Sequence, residues 1–113
     1  MSAGTNQYTS VASLATLTGD TDLTVTASTD KVYLVDPTGA RNLDLFAVSS
    51  DGTGATTSRL QIQIVNQCTT DAGETITLRE GNNSDAKIGI VEEFHGTWCE
   101  WNGTSWVATS GAT

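Results

Sequence analysis

Apolar and polar residues alternate with a period of two along most of this 113-residue chain, which is typical of half-buried β-strands. The clearest alternation runs from residue 59 to residue 66. Its aliphatic face carries Leu60, Ile62 and Ile64, and its other face carries Gln61, Gln63 and Val65. The same spacing places Ile76 with Leu78, and Ile88 with Ile90, on inward faces. No segment has helical spacing, and turn signals recur about every 8 to 12 residues, so we predict an all-β fold, a small antiparallel sandwich or barrel of about eight short strands.

The strongest local signal is a predicted hairpin around Asn102 and Gly103. Asn-Gly between runs of β-branched and aromatic residues favours a two-residue type I′ turn, because both central residues of that turn need a positive φ. Such a turn would pair Trp101 with Thr104 and Cys99 with Trp106. Alternation divides the hairpin into one face with Thr97, Cys99, Trp101, Thr104, Trp106 and Ala108, and another with Trp98, Glu100, Ser105 and Val107.

The two faces of this hairpin have different predicted roles. We expect Cys99, Trp101 and Trp106 to lie in the core, since one buried aromatic ring removes roughly 150 to 250 Å² from water. Trp98 and Val107 are then the candidate partner-binding residues. An alternative for the tryptophans is stacking on sugar rings, which requires them to be exposed.

Composition limits the size of the core. Only 37% of the residues are hydrophobic, below the roughly 45 to 50% of ordinary globular domains, while threonine (20 residues) and glycine (11 residues) are abundant. We predict one β domain over residues 11–113, with part of its apolar burial between subunits. Residues 1–10 lack large aliphatic side chains and are predicted to form a flexible N-terminal arm. Tyr8 would anchor that arm on a partner, unless the segment is simply a frayed terminus.

A formal net charge of −8 repels phosphate backbones and anionic lipids, so we expect no nucleic-acid partner and no membrane partner. No apolar run approaches the roughly 20 residues of a spanning helix, and the first residues lack the features of a signal peptide. We therefore expect synthesis in the cytoplasm. Cys68 and Cys99 are predicted to be buried thiols, although a disulfide stays possible outside the cell.

Catalytic and metal-binding motifs find little support in the sequence. The single histidine, His95, has no nucleophile motif beside it. Asp20 and Asp22 could begin a calcium loop, but the remaining ligands and the glycine of such a loop are missing. We predict that the chain is not an enzyme and holds neither a cofactor nor a metal.

Four segments together carry a resemblance to a known class of protein. They are VYLVDPTGARNLDLFAV (32–48), QIQIVNQ (61–67), DAGETITLREG (71–81) and GTWCEWNGTSWVA (96–108). Their order resembles a β-rich module of tailed-bacteriophage virion proteins and covers roughly residues 14–108. In that module an Asp-Pro turn separates the first strands, a central strand ends in Asn, and the last tryptophan of a closing hairpin completes the core. Here these features correspond to Asp36-Pro37, Asn66 and Trp106.

A chain of this length looks most like a capsid decoration (cement) protein. The resemblance implies a homotrimer that binds the major capsid protein on the outer surface of the virion. The alternative is a tail or head fibre component with a host-receptor or glycan-binding site. The two differ in the surroundings of Trp98, which would face other subunits or the shell in a cement protein and an open, polar groove in a glycan-binding module.

Overall fold

The computed structural model describes residues 11–13, 16–27, 32–69 and 73–109, which form nine strands in two sheets. The strands are β1 (Val11–Ser13), β2 (Thr21–Val25), β3 (Val32–Val35), β4 (Arg41–Ala47), β5 (Leu60–Asn66), β6 (Ile76–Glu80), β7 (Ala86–Val91), β8 (Gly96–Trp101) and β9 (Trp106–Thr109). A 3-10 turn at Gly81–Asn83 follows β6. The predicted all-β sandwich is confirmed. The predicted arm 1–10, with Tyr8, lies outside the described residues.

The chain passes from one sheet to the other with each of its first six strands. The five-stranded sheet has the order β1-β3-β5-β8-β9, and the four-stranded sheet has the order β2-β4-β6-β7. Each strand from β3 to β6 returns to its own sheet parallel to the strand two before it, and only the pairs made by β7, β8 and β9 are antiparallel. The prediction that the sandwich is antiparallel is therefore wrong for the four pairs among β1 to β6, which are parallel. Parallel neighbours need a long crossover, and here the strand in the opposite sheet provides it.

The core lies between the two sheets and consists mainly of aliphatic side chains from their central strands. Leu43 and Leu45 of the four-stranded sheet face Ile62 and Ile64 of the five-stranded sheet, and all four side chains are fully buried. The alternation predicted for residues 59–66 is confirmed, because Leu60, Ile62 and Ile64 point inward. This core fixes which side of each sheet faces solvent.

Strand β7 departs from the predicted alternation. Its pairing with β6 shifts between Leu78 and Arg79, so that Leu78 lies opposite Gly89 whereas Arg79 lies opposite Lys87. Because a β-bulge changes which side of the strand a residue occupies, Ile88 packs partly against the core while Ile90 is exposed. The prediction that both isoleucines point inward is wrong for Ile90.

A buried asparagine at the end of β5 joins the two sheets. The side-chain amide of Asn66 donates to the carbonyl oxygens of Glu74 (2.9 Å) and Val91 (3.1 Å), and its side-chain oxygen accepts from the backbone amide of Cys68 (3.1 Å). Val91 ends β7, so this amide group fixes the four-stranded sheet against the five-stranded one. The same residue also positions the chain that follows β5.

Candidate functional site

The closing hairpin, β8 and β9, supplies the aromatic part of the core. Trp101 and Trp106 lie directly opposite each other with ring centroids 5.8 Å apart and planes inclined at 53°. Both rings are buried, and so is Cys99 two residues before Trp101. The indole N–H of Trp101 donates to the carbonyl oxygen of Thr56 (2.8 Å). The structure thus places Cys99, Trp101 and Trp106 in the core, where we expected them.

The hairpin loop contains four residues, not the two that the Asn-Gly signal predicts. The side-chain oxygen of Asn102 accepts from the backbone amides of Thr104 and Ser105, both at 3.0 Å, and only Gly103 has a positive φ. These bonds close a longer turn, so Trp101 pairs with Trp106 and not with Thr104. The register shift is two residues. A shift of two preserves the side on which every residue lies, and the predicted division into faces therefore holds.

The last residue of β6 and the turn after it bind the closing hairpin to the opposite sheet. A carboxylate oxygen of Glu80 accepts from the backbone amide of Trp106 at 2.6 Å. The side chain of Asn82 accepts from the backbone amide of Ala47 (2.8 Å) and from the indole N–H of Trp106 (3.2 Å). Trp106 is thus held through both its backbone and its ring.

The outer side of the five-stranded sheet is unusually apolar for a solvent-facing surface. We call it the tryptophan face; it consists of Val32, Leu34, Gln61, Gln63, Val65, Trp98, Glu100 and Val107. Trp98 is 39% exposed and Val107 is 51% exposed. In the backbone register, Val32, Gln63 and Trp98 form one row across the sheet, and Gln61, Glu100 and Val107 form another. The face is therefore continuous across β3, β5, β8 and β9.

Gly96 shapes the surface beside Trp98. A Cβ atom at Gly96 would lie 3.1 Å from the side-chain nitrogen of Gln63 and 3.4 Å from a methyl carbon of Val65. The missing side chain leaves the space that the Gln63 amide occupies. Gln63 thus leans toward Gly96, away from the row that it shares with Trp98.

The two outer surfaces of the sandwich differ in their number of charged side chains. On the tryptophan face the one acidic residue, Glu100, is paired with the guanidinium group of Arg59, which leaves the face without net charge. The four-stranded sheet instead carries a charged row of Asp22, Asp44, Arg79 and Lys87. In that row the guanidinium group of Arg79 donates to both carboxylate oxygens of Asp44, at 2.5 and 2.9 Å, and this pairing raises the pKa of Arg79. The outer side of the four-stranded sheet therefore carries more charged side chains than the tryptophan face.

Sequence reasoning identified Trp98 and Val107 but missed three aliphatic members of the tryptophan face. Val32 and Leu34 alternate with the buried Tyr33 and Val35, and Val65 follows the buried Ile64. The unbroken apolar run Val32–Val35 was the signal for these residues. A strand with apolar residues on both sides either has both sides covered or leaves one apolar side exposed to solvent.

The candidate catalytic and metal-binding residues do not come together. His95 is exposed, with its Nδ1 atom 2.9 Å from the carbonyl oxygen of Glu93. Asp20 accepts from the side-chain amide of Asn42 (2.9 Å) and lies 3.5 Å from the guanidinium group of Arg79. Within the described ranges, no group of three or more His, Cys, Asp or Glu residues is arranged to hold a metal ion. Cys68 and Cys99 are both buried thiols, and burial raises the pKa of the Cys99 thiol to about 12.

In the part of the chain that the structure describes, no helix has the length and apolar character needed to cross a membrane. Comparison of the chain with protein-family models, curated proteins and solved structures found no match.

Proposed function

We propose that this chain is a structural protein of a bacteriophage virion, which binds the outer surface of the assembled capsid as a homotrimer and stabilises the shell. The observation that carries this proposal is the tryptophan face, a largely apolar surface without net charge on a chain of net charge −8. Exposed apolar patches of this kind mark sites of protein association.

The tryptophan face suits contact with other copies of the same chain. Like-charged copies repel each other wherever their acidic surfaces meet, so a surface without net charge is the least costly place for contact. Trp98 and Val107 supply the exposed apolar area, and the hairpin that carries them is fixed to both sheets. A closed ring of three copies would bury this area without leaving an open end for further growth.

The acidic remainder of the surface suits the major capsid protein, provided that the shell is locally basic. In this proposal Tyr8 of the N-terminal arm adds a contact on the shell. A protein that binds only the assembled state stabilises that state by mass action, by about 2.7 kcal/mol per site at a hundredfold excess over its dissociation constant. Many sites on one shell multiply this gain.

Binding of a glycan as part of a fibre is the second candidate function. The observation that favours it is the exposed ring of Trp98, because an exposed aromatic ring can stack on the face of a sugar. The aliphatic residues of the tryptophan face favour protein contact over sugar binding.

Oligomeric state gives the first test. Light scattering at micromolar concentration should report about 35 kDa, three times the 11.8 kDa of one chain. Val107→Asp should convert the trimer to a monomer, because it places a charge within the apolar interface. Thr24→Asp is the matched control, since it adds the same charge to an exposed strand position of the opposite sheet. A stable wild-type monomer would contradict the trimer.

Attachment gives the second test. The purified chain should bind back onto capsids that lack it and raise their melting temperature. Deletion of residues 1–10 should weaken this binding and leave the melting temperature of the free protein nearly unchanged. The fibre function replaces the decoration function if the chain does not bind capsids but binds an immobilised glycan, and if Trp98→Ala abolishes the glycan binding.

A further inference from the structure

The turn between β7 and β8 holds an exposed aromatic residue in a strained backbone conformation. His95 donates its backbone amide to the carbonyl oxygen of Glu92 (3.0 Å), and Phe94 donates its own to the carbonyl oxygen of Asn66 (3.0 Å). Phe94 has φ +63° and a side chain that is 66% exposed. Bulky residues rarely adopt a positive φ, and an exposed ring gains little from burial. Folding alone therefore gives no reason for a phenylalanine at this position.

Phe94 forms one wall of an open recess of about 510 Å³, whose other lining residues include Gln67, Cys68 and Thr69. Hydrogen bonds hold this lining in place. The backbone amide of Cys68 donates to the buried side chain of Asn66, at 3.1 Å, and Cys68 is itself buried. Since Asn66 also fixes the backbone of Phe94, one buried residue positions both sides of the recess.

One carboxylate is hydrogen-bonded to the lining of this recess. Asp36 accepts hydrogen bonds from the backbone amide (3.0 Å) and the hydroxyl (2.8 Å) of Thr69, which places a negative charge against the wall. Glu92 and Glu93 immediately precede Phe94 in the turn. Of the described arginines, Arg59 and Arg79 are paired with carboxylates elsewhere, and Arg41 donates to Leu17 and Thr38. No described lysine or arginine lines the recess.

We propose that the recess beside Phe94 binds an arginine or lysine side chain that a protein partner presents. The ring of Phe94 attracts a cation over its face, and the carboxylate of Asp36 adds Coulombic attraction from the wall. The aliphatic stem of the incoming side chain would pack against the ring and the buried Cys68. Arginine fits better than lysine, because a planar guanidinium group stacks on an aromatic ring and is more weakly hydrated. This assignment does not depend on the capsid as partner.

A titration followed by ¹H–¹⁵N NMR tests the site directly. The probe is Nα-acetyl-arginine methylamide, and the matched control is Nα-acetyl-norleucine methylamide, which has a similar stem without the charge. We expect saturable shifts of the amide signals of Cys68, Thr69 and Phe94 with the arginine compound alone. Equal shifts with both compounds would show an apolar recess and overturn the proposal, as would the absence of any saturable shift.

Variants of Phe94 test whether its aromatic ring makes the contact with arginine. Phe94→Gly should weaken arginine binding by about fivefold or more, as expected for loss of a cation–π contact. Glycine adopts a positive φ without strain, so the turn should keep its structure. Phe94→Asn provides a second ring-free variant whose side chain also tolerates this conformation. Ile90→Ala, which removes an exposed apolar side chain outside the recess, should bind arginine like the wild type. Unchanged binding by both Phe94 variants would refute the assignment.

Discussion

Replacement of Asn66 by alanine should be among the most destabilising changes available at a polar position. The side chain of Asn66 is fully buried and makes three hydrogen bonds, to the backbone carbonyls of Glu74 and Val91 and to the backbone amide of Cys68. Alanine removes all three bonds at once. It also leaves buried backbone groups without partners, which costs more than the bonds themselves contribute.

The expected loss follows from the number of bonds. Each intramolecular hydrogen bond contributes about 1 kcal/mol net, so three bonds give about 3 kcal/mol, with a range of roughly 2 to 5 kcal/mol when unsatisfied groups are included. A domain of this size has a total stability of about 5 to 15 kcal/mol. The variant should therefore remain folded at room temperature. Its melting temperature should fall by about 12 °C, at roughly 4 °C per kcal/mol.

Urea unfolding followed by tryptophan fluorescence measures this loss, since the chain has three tryptophans. Asn42→Ala is the matched control, because Asn42 makes one exposed side-chain bond to Asp20 and should change stability by at most about 0.5 kcal/mol. Asn66→Asp should be worse than alanine at neutral pH, because a carboxylate would face two carbonyl oxygens. These surroundings should raise the pKa of the new carboxyl group in the folded state. The stability of the Asn66→Asp variant should therefore fall as the pH rises above about 4. A loss at Asn66→Ala no larger than at Asn42→Ala would refute the reasoning.

Three further predictions follow from buried and hydrogen-bonded groups. Trp106→Ala should cost about 3 to 5 kcal/mol in denaturant unfolding, whereas Trp98→Ala should cost much less, because only the first ring is buried. The Cys99 thiol should resist alkylation at neutral pH until the protein unfolds, which mass spectrometry can measure, because burial raises its pKa to about 12. Hydrogen bonds from Ser49 and Thr53 lower the pKa of Asp51 from 3.8 to about 2. The stability that these bonds supply is present above pH 3.8 and lost toward pH 2, so acid should lower the melting temperature more for the wild type than for Asp51→Asn.

The sequence predicted the strands and their inward faces well where the alternation was unbroken. Leu60, Ile62 and Ile64 point inward because a strand with period two can bury only one of its sides. The same logic placed Trp101 and Trp106 in the core. Alternation carries no information about which strand lies next to which, so the parallel pairing of the first six strands could not be read from it.

Two errors arose where local hydrogen bonding or backbone geometry changed the register. The side chain of Asn102 accepts three hydrogen bonds from Thr104 and Ser105 and closes a four-residue loop where Asn-Gly alone indicates a two-residue turn. In β7 a bulge at Ile88 places Ile88 and Ile90 on different sides of the strand, and Ile90 is exposed. Phe94 went unnoticed because its positive φ has no sequence signature, since glycine and asparagine are the residues that usually mark that conformation.

Because the chain has a net charge of −8 and the tryptophan face has none, self-association and shell binding should respond to salt in opposite ways. Copies of net charge −8 repel each other at long range, so added salt screens that repulsion and should strengthen a trimer formed through the tryptophan face. Attraction of the acidic surface to a basic shell is screened in the same way, so added salt should weaken attachment. Sedimentation and capsid binding, each measured from low to high salt, should therefore change in opposite directions. If both weaken together, ion pairs hold the trimer, and the tryptophan face does not supply its main contact.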